Sequence, residues 1–306
     1  MHAPDPEYLL EALTDELANF QDIARNLLPQ AGEVPQLRGI DVWGTTLSLN
    51  GMVGGDHIVY VDFKQRFDLD ARIARAAAAG RTELVENLRR CKQRAGVALM
   101  DVSGHRITDA LLAAMLHQAF LVGALYELDV SGKISRRLFE NLNTRFFQSS
   151  GAHKYVSLIY GEIGEDARFR FLSAGHPPPM VFSRKHDRFM EVEEQRRRSF
   201  PPVGLMPSLD VIDREATPAH SLGFKDRYEM NEWHLMGAGD ILVLYTDGLS
   251  DHGGEANPYF PQRLETKLRE VKNLSARQIV DAVLTDMRAH SPLSDDVSVV
   301  IVKLAH

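Results

Sequence analysis

Cysteine is nearly missing from this chain. Cys91 is the only one, which excludes an internal disulfide and a cysteine-rich zinc site. A long basic run is missing too. Lysine and arginine number 35 against 42 acids, a net charge of −7, so the phosphate backbone of a nucleic acid is a poor partner. No apolar run approaches the roughly 20 residues a membrane span needs. The opening Met1-His2-Ala3-Pro4-Asp5 has no basic stretch leading into an apolar one, so a secretory leader is not expected and the cytoplasm is the default location. Internal repeats and low-complexity tracts are also lacking. What is present is 306 residues, 44% of them hydrophobic, enough for a full core in one large domain or two small ones. The acid excess suits a protein that binds divalent cations, and solubility explains it equally well.

Residues 5–28 read as a helix in which Leu10, Leu13, Leu17, Phe20, Ala24 and Leu27 recur at alternating spacings of three and four. That a/d pattern allows two readings, a helix docked on its own domain or a seam between two copies. Prolines 29 and 35 bracket a linker, so residues 1–35 form a regulatory or dimerising helix with its linker, and 36–306 the main domain. Asp41–Leu49 and His57–Phe63 are strand-like, with glycines 51, 54 and 55 between them. Two flanking strands and that spacing argue against a dinucleotide fingerprint. Residues 64–94 read as a helical insertion hinged at Gly80, with Asp68 capping one helix and Thr82 the next. Cys91 falls on the apolar face of the second helix and reads as packing. Helices are expected near 108–128 and 136–148, a hairpin over 155–173, and a capping box at Ser275–Gln278. The arginines 196–198 read as a solvated loop. Hairpin-like connections with helices in pairs predict a two-sheet sandwich with helices on its outer faces.

One kind of residue sits where it is costly. Gly239–Leu249 reads as a turn, a buried five-residue strand, and then Asp247 with Gly248 behind it. Asp56 follows a glycine pair, Asp101 ends the apolar run Val97–Met100, and Asp295-Asp296 precede the apolar run Val297–Val302. Acids at the ends of buried strands need a cation or a full set of hydrogen bonds. Four of them from distant parts of the chain suggest one metal cluster, although any single Asp-Gly is ordinarily a turn. Asp240 is assigned to such a turn. His176 reads as ordering its loop, and His105 as a candidate proton donor.

Gly54-Gly55-Asp56, Asp101-Val102-Ser103-Gly104-His105, Ala174-Gly175-His176-Pro177, Gly239–Leu249 and Asp295-Asp296-Val297-Ser298 occur in the order and spacing of one family. Over residues 36–306 the chain resembles the metal-dependent serine/threonine protein phosphatases (PPM superfamily), in the SpoIIE-like and RsbU-like bacterial branch. The resemblance implies an α+β fold, a four-layer α-β-β-α sandwich of two mainly antiparallel sheets flanked by helices. It implies two Mn²⁺ or Mg²⁺ ions, bridged by the Asp101 carboxylate, with the Val102 carbonyl on one of them. Asp247 and Asp295 would hold the other ion, and Asp56 a metal-bound water or a metal directly. Asp296 is the alternative to Asp295, and the family pattern favours the first acid. The implied reaction is hydrolysis of phosphoserine or phosphothreonine on a protein, with a phosphorylated STAS-domain anti-sigma-factor antagonist as the suspected substrate. An oxygen-only donor set agrees with hard divalent cations.

Three features depart from the family pattern. Arg106 stands where glycine is common, His57-Ile58-Val59 replaces an aromatic pair, and residues 64–94 are longer than the usual connection. They leave open a second reading, a catalytically silent protein of this fold that binds a phosphoprotein or dimerises through residues 5–28. Gly54-Gly55-Asp56 is also part of a cyclic-dinucleotide cyclase signature, but His57-Ile58 replaces its acid and aromatic.

Overall fold

The computed structural model describes residues 6–25, 28–29, 31–49, 54–104, 107–149, 154–209, 222–234 and 236–305. Two sheets lie face to face. The first is antiparallel throughout: β1 (Ile40–Leu47), β11 (Val297–Leu304), β10 (Ile241–Tyr245), β6 (Met180–Ser183) and β7 (Arg188–Phe189), in that order. The second runs β2 (Asp56–Asp62), β3 (Arg94–Val102), β4 (Val156–Gly164), β5 (Phe169–Ala174) and β8 (Ser199–Phe200), with β9 (Asn231–Trp233) also on β5. β8 pairs parallel to β5, so this sheet is mixed.

Alternation along the strands makes four layers. One set of side chains, including Ile58, Leu99, Ile159, Leu242 and Val300, fills the space between the sheets. The alternate set on the second sheet, with Val59, Ala98, Met100 and Leu158, packs with Leu116, Phe120 and Phe139 of α5 (Ile107–Val130) and α6 (Arg136–Ser149). On the first sheet Val243, Val299 and Ile301 pack with Leu264, Ile279 and Val283 of α8 (Gln262–Val271) and α9 (Ala276–His290). Strands buried on both faces must be apolar at nearly every position, which is why Val297–Val302 reads as an almost unbroken run. α9 begins at the expected capping box. A cap contributes about 1 kcal/mol, whereas each buried Ile, Val, Leu or Met of its inner face contributes about 1.5–3 kcal/mol, so packing holds the helix and the cap sets its start.

α5 has the composition of a membrane span. Among the described residues Asp109–Val130 is the one stretch long and apolar enough to cross a bilayer, with a mean hydropathy of 1.5. This corrects the expectation from sequence that no apolar run approaches that length. Here the stretch covers a sheet: Ala113, Leu116, Phe120 and Ala124 are buried. Its fully buried acids are paired, Asp109 with Lys154 at 2.6 Å and Glu127 with Arg137 at 2.8 Å. Its outer face carries exposed Leu111, Met115, Val122 and Tyr126.

Between β2 and β3 lie α2 (Phe63–Arg66), α3 (Leu69–Ala78) and α4 (Thr82–Cys91). The Asp68 carboxylate caps α3 by accepting from the Ala71 amide. Thr82 does not cap α4: Arg81 takes that position with no side-chain bond, and Thr82 is the first helical residue. α1 (Pro6–Arg25) touches α5, yet Leu10 and Leu13 of its heptad are 68% and 67% exposed. Its apolar stripe is not docked over that half. Leu27 lies outside the described residues.

Candidate active site

The four acids come together at one end of the sandwich, contributed by both sheets. Asp56 is the first residue of β2 rather than part of the turn before it, and it pairs directly with Asp101 near the end of β3. Like charges directly opposite in a ladder repel, so this pairing is an unfavourable one that the fold imposes. Across the gap, Asp247 opens α7 (Asp247–Ser250) where β10 ends, and Asp295 lies just before β11. Burial, then Asp247, Asp295 and Asp296, push the Asp101 carboxyl up to about 7. Burial and the facing Asp101 raise Asp56 well above the usual carboxylate range, and burial followed by Asp295 raises Asp247. Asp56, Asp101 and Asp247 are therefore raised by burial and by neighbouring acids, and the leading charges acting on Asp101 are all negative.

The neighbours fix these acids in different ways. Asp56 is 2% exposed, and its Oδ2 accepts from the Thr246 hydroxyl at 2.6 Å. Thr246 sits at the N-cap of α7 but makes no cap bond. Its hydroxyl serves Asp56 instead, and its Oγ1 accepts from the Ser298 amide at 2.8 Å. Asp296 uses both oxygens on backbone, accepting from Leu49 N and Gly55 N at 2.7 Å each. Both Asp296 oxygens are thus committed to backbone, while Asp295 Oδ1 accepts from the Asp296 amide at 2.8 Å. Val102 is buried, and its carbonyl lies beside Gly55, where an added Cβ would sit 3.0 Å from it. A Cβ on Gly248 would fall 1.9 Å from the Asp296 carbonyl oxygen; glycine is required at both close approaches.

Behind Asp101, Ser157 donates to its Oδ2 at 3.5 Å and shares a 2.9 Å hydrogen bond with Nδ1 of His176. Burial pushes His176 down to about 3, so its imidazole is neutral and works as a loop brace, as expected from the sequence. Asp240 accepts from the Gly237 and Arg184 amides at 2.8 Å each and is turn chemistry. His105 and Arg106 lie outside the described residues. Thr246, Ser157 and the clamp role of Asp296 were missed by sequence reading. A hydroxyl directly before Asp247 was the one available signal, and it reads equally as a helix cap.

Among the described residues no three His, Cys, Asp or Glu side chains already meet at one coordination point. Asp247 is exposed and Asp295 half-buried, so both have room to turn inward. The donor set is all oxygen and strongly anionic, which fits Mg²⁺ or Mn²⁺ and not a thiol- or imidazole-binding metal.

Three comparisons bear on this geometry. Residues 92–305 match the family described as Stage II sporulation protein E (SpoIIE). The chain is 24% identical over 221 residues to the phosphoserine phosphatase RsbU of Bacillus subtilis, covering 69% of this chain and 56% of RsbU; it thus spans little more than half of that curated relative. The SiaA PP2C domain of Pseudomonas aeruginosa superposes with a TM-score of 0.63 at 14% identity, covering 97% of this chain and 98% of that one. RsbX, solved in complex with magnesium, gives a TM-score of 0.52 at 12% identity over 89% of this chain and 98% of its own. At these identities the two structures show a shared fold.

Proposed function

The chain belongs to the SpoIIE family, and on that premise we propose that it is a metal-dependent protein phosphatase that hydrolyses phosphoserine or phosphothreonine on a protein partner. The observation that carries the proposal is the convergence of Asp56, Asp101, Asp247 and Asp295 at one end of two sheets, where burial and neighbouring acids raise Asp56, Asp101 and Asp247. Asp101 and the Val102 carbonyl, with Asp247 and Asp295, would hold two Mn²⁺ or Mg²⁺ ions, and Asp56 would hold a metal directly or through water. Such ions supply positive charge that lowers the pKa of a water and neutralises phosphoryl oxygens during in-line attack.

The protein's own part is positional. Thr246 fixes the carboxylate of Asp56, Ser157 steadies that of Asp101, and Asp296 holds Gly55 against the end of β3. Asp247 and Asp295 face Asp56 and Asp101 from the opposite sheet. The similarity to RsbU supports a phosphorylated STAS-domain antagonist of a partner-switching pathway as the substrate. The exposed Leu10 and Leu13 support α1 as a seam between two copies. A cytoplasmic setting completes the proposal.

In a manganese-dependent assay with a generic aryl phosphate, Asp247→Asn is expected to abolish turnover while leaving the fold intact. Undiminished turnover in that variant would remove the proposed site. The silent reading predicts no metal uptake. Calorimetric titration with Mn²⁺ separates the two, because a silent protein takes up no heat-producing equivalent.

A further inference from the structure

The second sheet has a polar site at each end. β3 begins at Arg94 and reaches Asp101 seven residues later, which places the two ends about 23 Å apart at ~3.3 Å per residue. Around Arg94 the surface sinks into a depression of about 180 Å³. Its cations arrive from four parts of the fold: Arg90 from α4, Arg94 from β3, Lys133 from the link between α5 and α6, and Arg168 with Arg170 from the start of β5. Arg90 alone would be an ordinary basic residue in the last turn of a helix. Convergence of the other four from separate elements has no such local explanation.

Two acids share the wall, Glu162 and Glu232. Glu162 is 3% exposed and already committed. Arg170 Nη2 donates to both its oxygens at 3.0 Å, and the Tyr160 hydroxyl donates to Oε1 at 3.0 Å. Arg94 stands 3.7 Å from the same carboxylate. Glu232 meets Arg168 at 3.1 Å with both side chains about half exposed, a pair that water screens strongly. Among the described residues Lys133 reaches Glu83, 3.9 Å away and 86% exposed. Five cations and two carboxylates line the wall, and outside it Glu83 and Asp166 pair with Lys133 and Arg168 at 3.9 and 3.7 Å, which leaves one positive charge in excess. The Nε of Arg170 is buried and makes no hydrogen bond among the described residues. Cations gathered in a recess are what an oxyanion site requires.

We infer that this depression binds a small, multiply charged phosphate anion of the pyrophosphate or short polyphosphate class. Its volume lies below the roughly 300 Å³ at which sites for drug-sized ligands begin, and no aromatic ring lines it to stack a nucleobase. The helical insertion between β2 and β3 thereby acquires a use, because α4 supplies Arg90 and also Asn87 to the wall. The inference stands apart from the proposed hydrolysis, since its residues belong to the other end of the sheet.

Calorimetric titration of the full chain with inorganic pyrophosphate, in buffer free of divalent metal, tests it. Wild type and Asp247→Asn are expected to bind equally, with affinity falling as salt rises. Arg90→Gln with Lys133→Gln removes two exposed cations without touching the Glu162 network and should weaken binding tenfold or more. Its circular dichroism and aryl-phosphate turnover should stay unchanged. Binding that survives in the double variant, binding lost in Asp247→Asn, or no saturable binding by wild type would each overturn the inference.

Discussion

Asp101→Asn isolates the charge that the fold holds at greatest cost. Burial and three neighbouring acids push this carboxyl from 3.8 up to about 7. An acid with a raised folded pKa weakens the fold wherever the unfolded chain has released a proton that the folded chain would keep. The penalty is therefore negligible below about pH 4, grows as pH rises, and is full above about pH 7. A shift of about three pH units at 1.36 kcal/mol each sets it at about 4 kcal/mol. Asparagine keeps the shape and removes the charge, but its amide is still buried at some cost. In EDTA at about pH 7.5 the variant should be more stable by roughly 2–4 kcal/mol. A domain of this size gains roughly 2–4 °C in Tm per kcal/mol, so a rise of several degrees is expected. Near pH 5 the gap should shrink to less than half. Adding Mn²⁺ at a hundred times its Kd should stabilise wild type by about 2.7 kcal/mol and the variant far less. If asparagine destabilises equally at both pH values, or if manganese moves both melting points alike, the reasoning fails.

Gly248→Ala drives a methyl against the Asp296 carbonyl oxygen; it should cost about 1–3 kcal/mol and abolish metal-dependent turnover, read by melting and kcat together. Asp296→Ala leaves the Leu49 and Gly55 amides without their acceptor, at about 1–3 kcal/mol for each buried group. Faster hydrogen exchange at the Gly55 amide is the specific readout, and protection equal to wild type would contradict the clamp. Deleting residues 1–28 should change oligomeric mass or turnover; if light scattering and kinetics both stay constant, α1 is only an appendage.

What the sequence revealed and what it hid follow from distance along the chain. Asp101 and Asp247 were legible because the apolar strand before each is adjacent to it, so the cost of the acid can be read locally. The four layers were legible for the same reason, since doubly buried strands and one-sided helices leave unbroken and periodic patterns. Asp296 was not, because its partners Leu49 and Gly55 lie 247 and 241 residues away. Beside Asp295 it reads as the less favoured alternative ligand, and its hydrogen bonds show the backbone role that the sequence hid. Thr246 was hidden by an ambiguity of chemistry, a hydroxyl before a helix that bonds an acid on the other sheet instead of its own amides. Thr82 misled in the opposite direction. The parallel pairing of β8 rests on two residues within an irregular segment, too short to leave any period, and α5 carries the composition of a membrane span because both its faces are apolar.

The hydrogen bonds from Thr246 to Asp56 and from Gly55 to Asp296 each run from one sheet to the other. They act as two rivets through a stack of plates, at the edge where the acids gather. Half of the acids ride on each plate, so sliding one sheet by a fraction of an ångström would open or close the gap between Asp56 and Asp101 on one side and Asp247 and Asp295 on the other. A core substitution far from the acids, one that thickens the layer around Leu99 and Leu242, would then detune the site through the rivets without touching a single carboxylate.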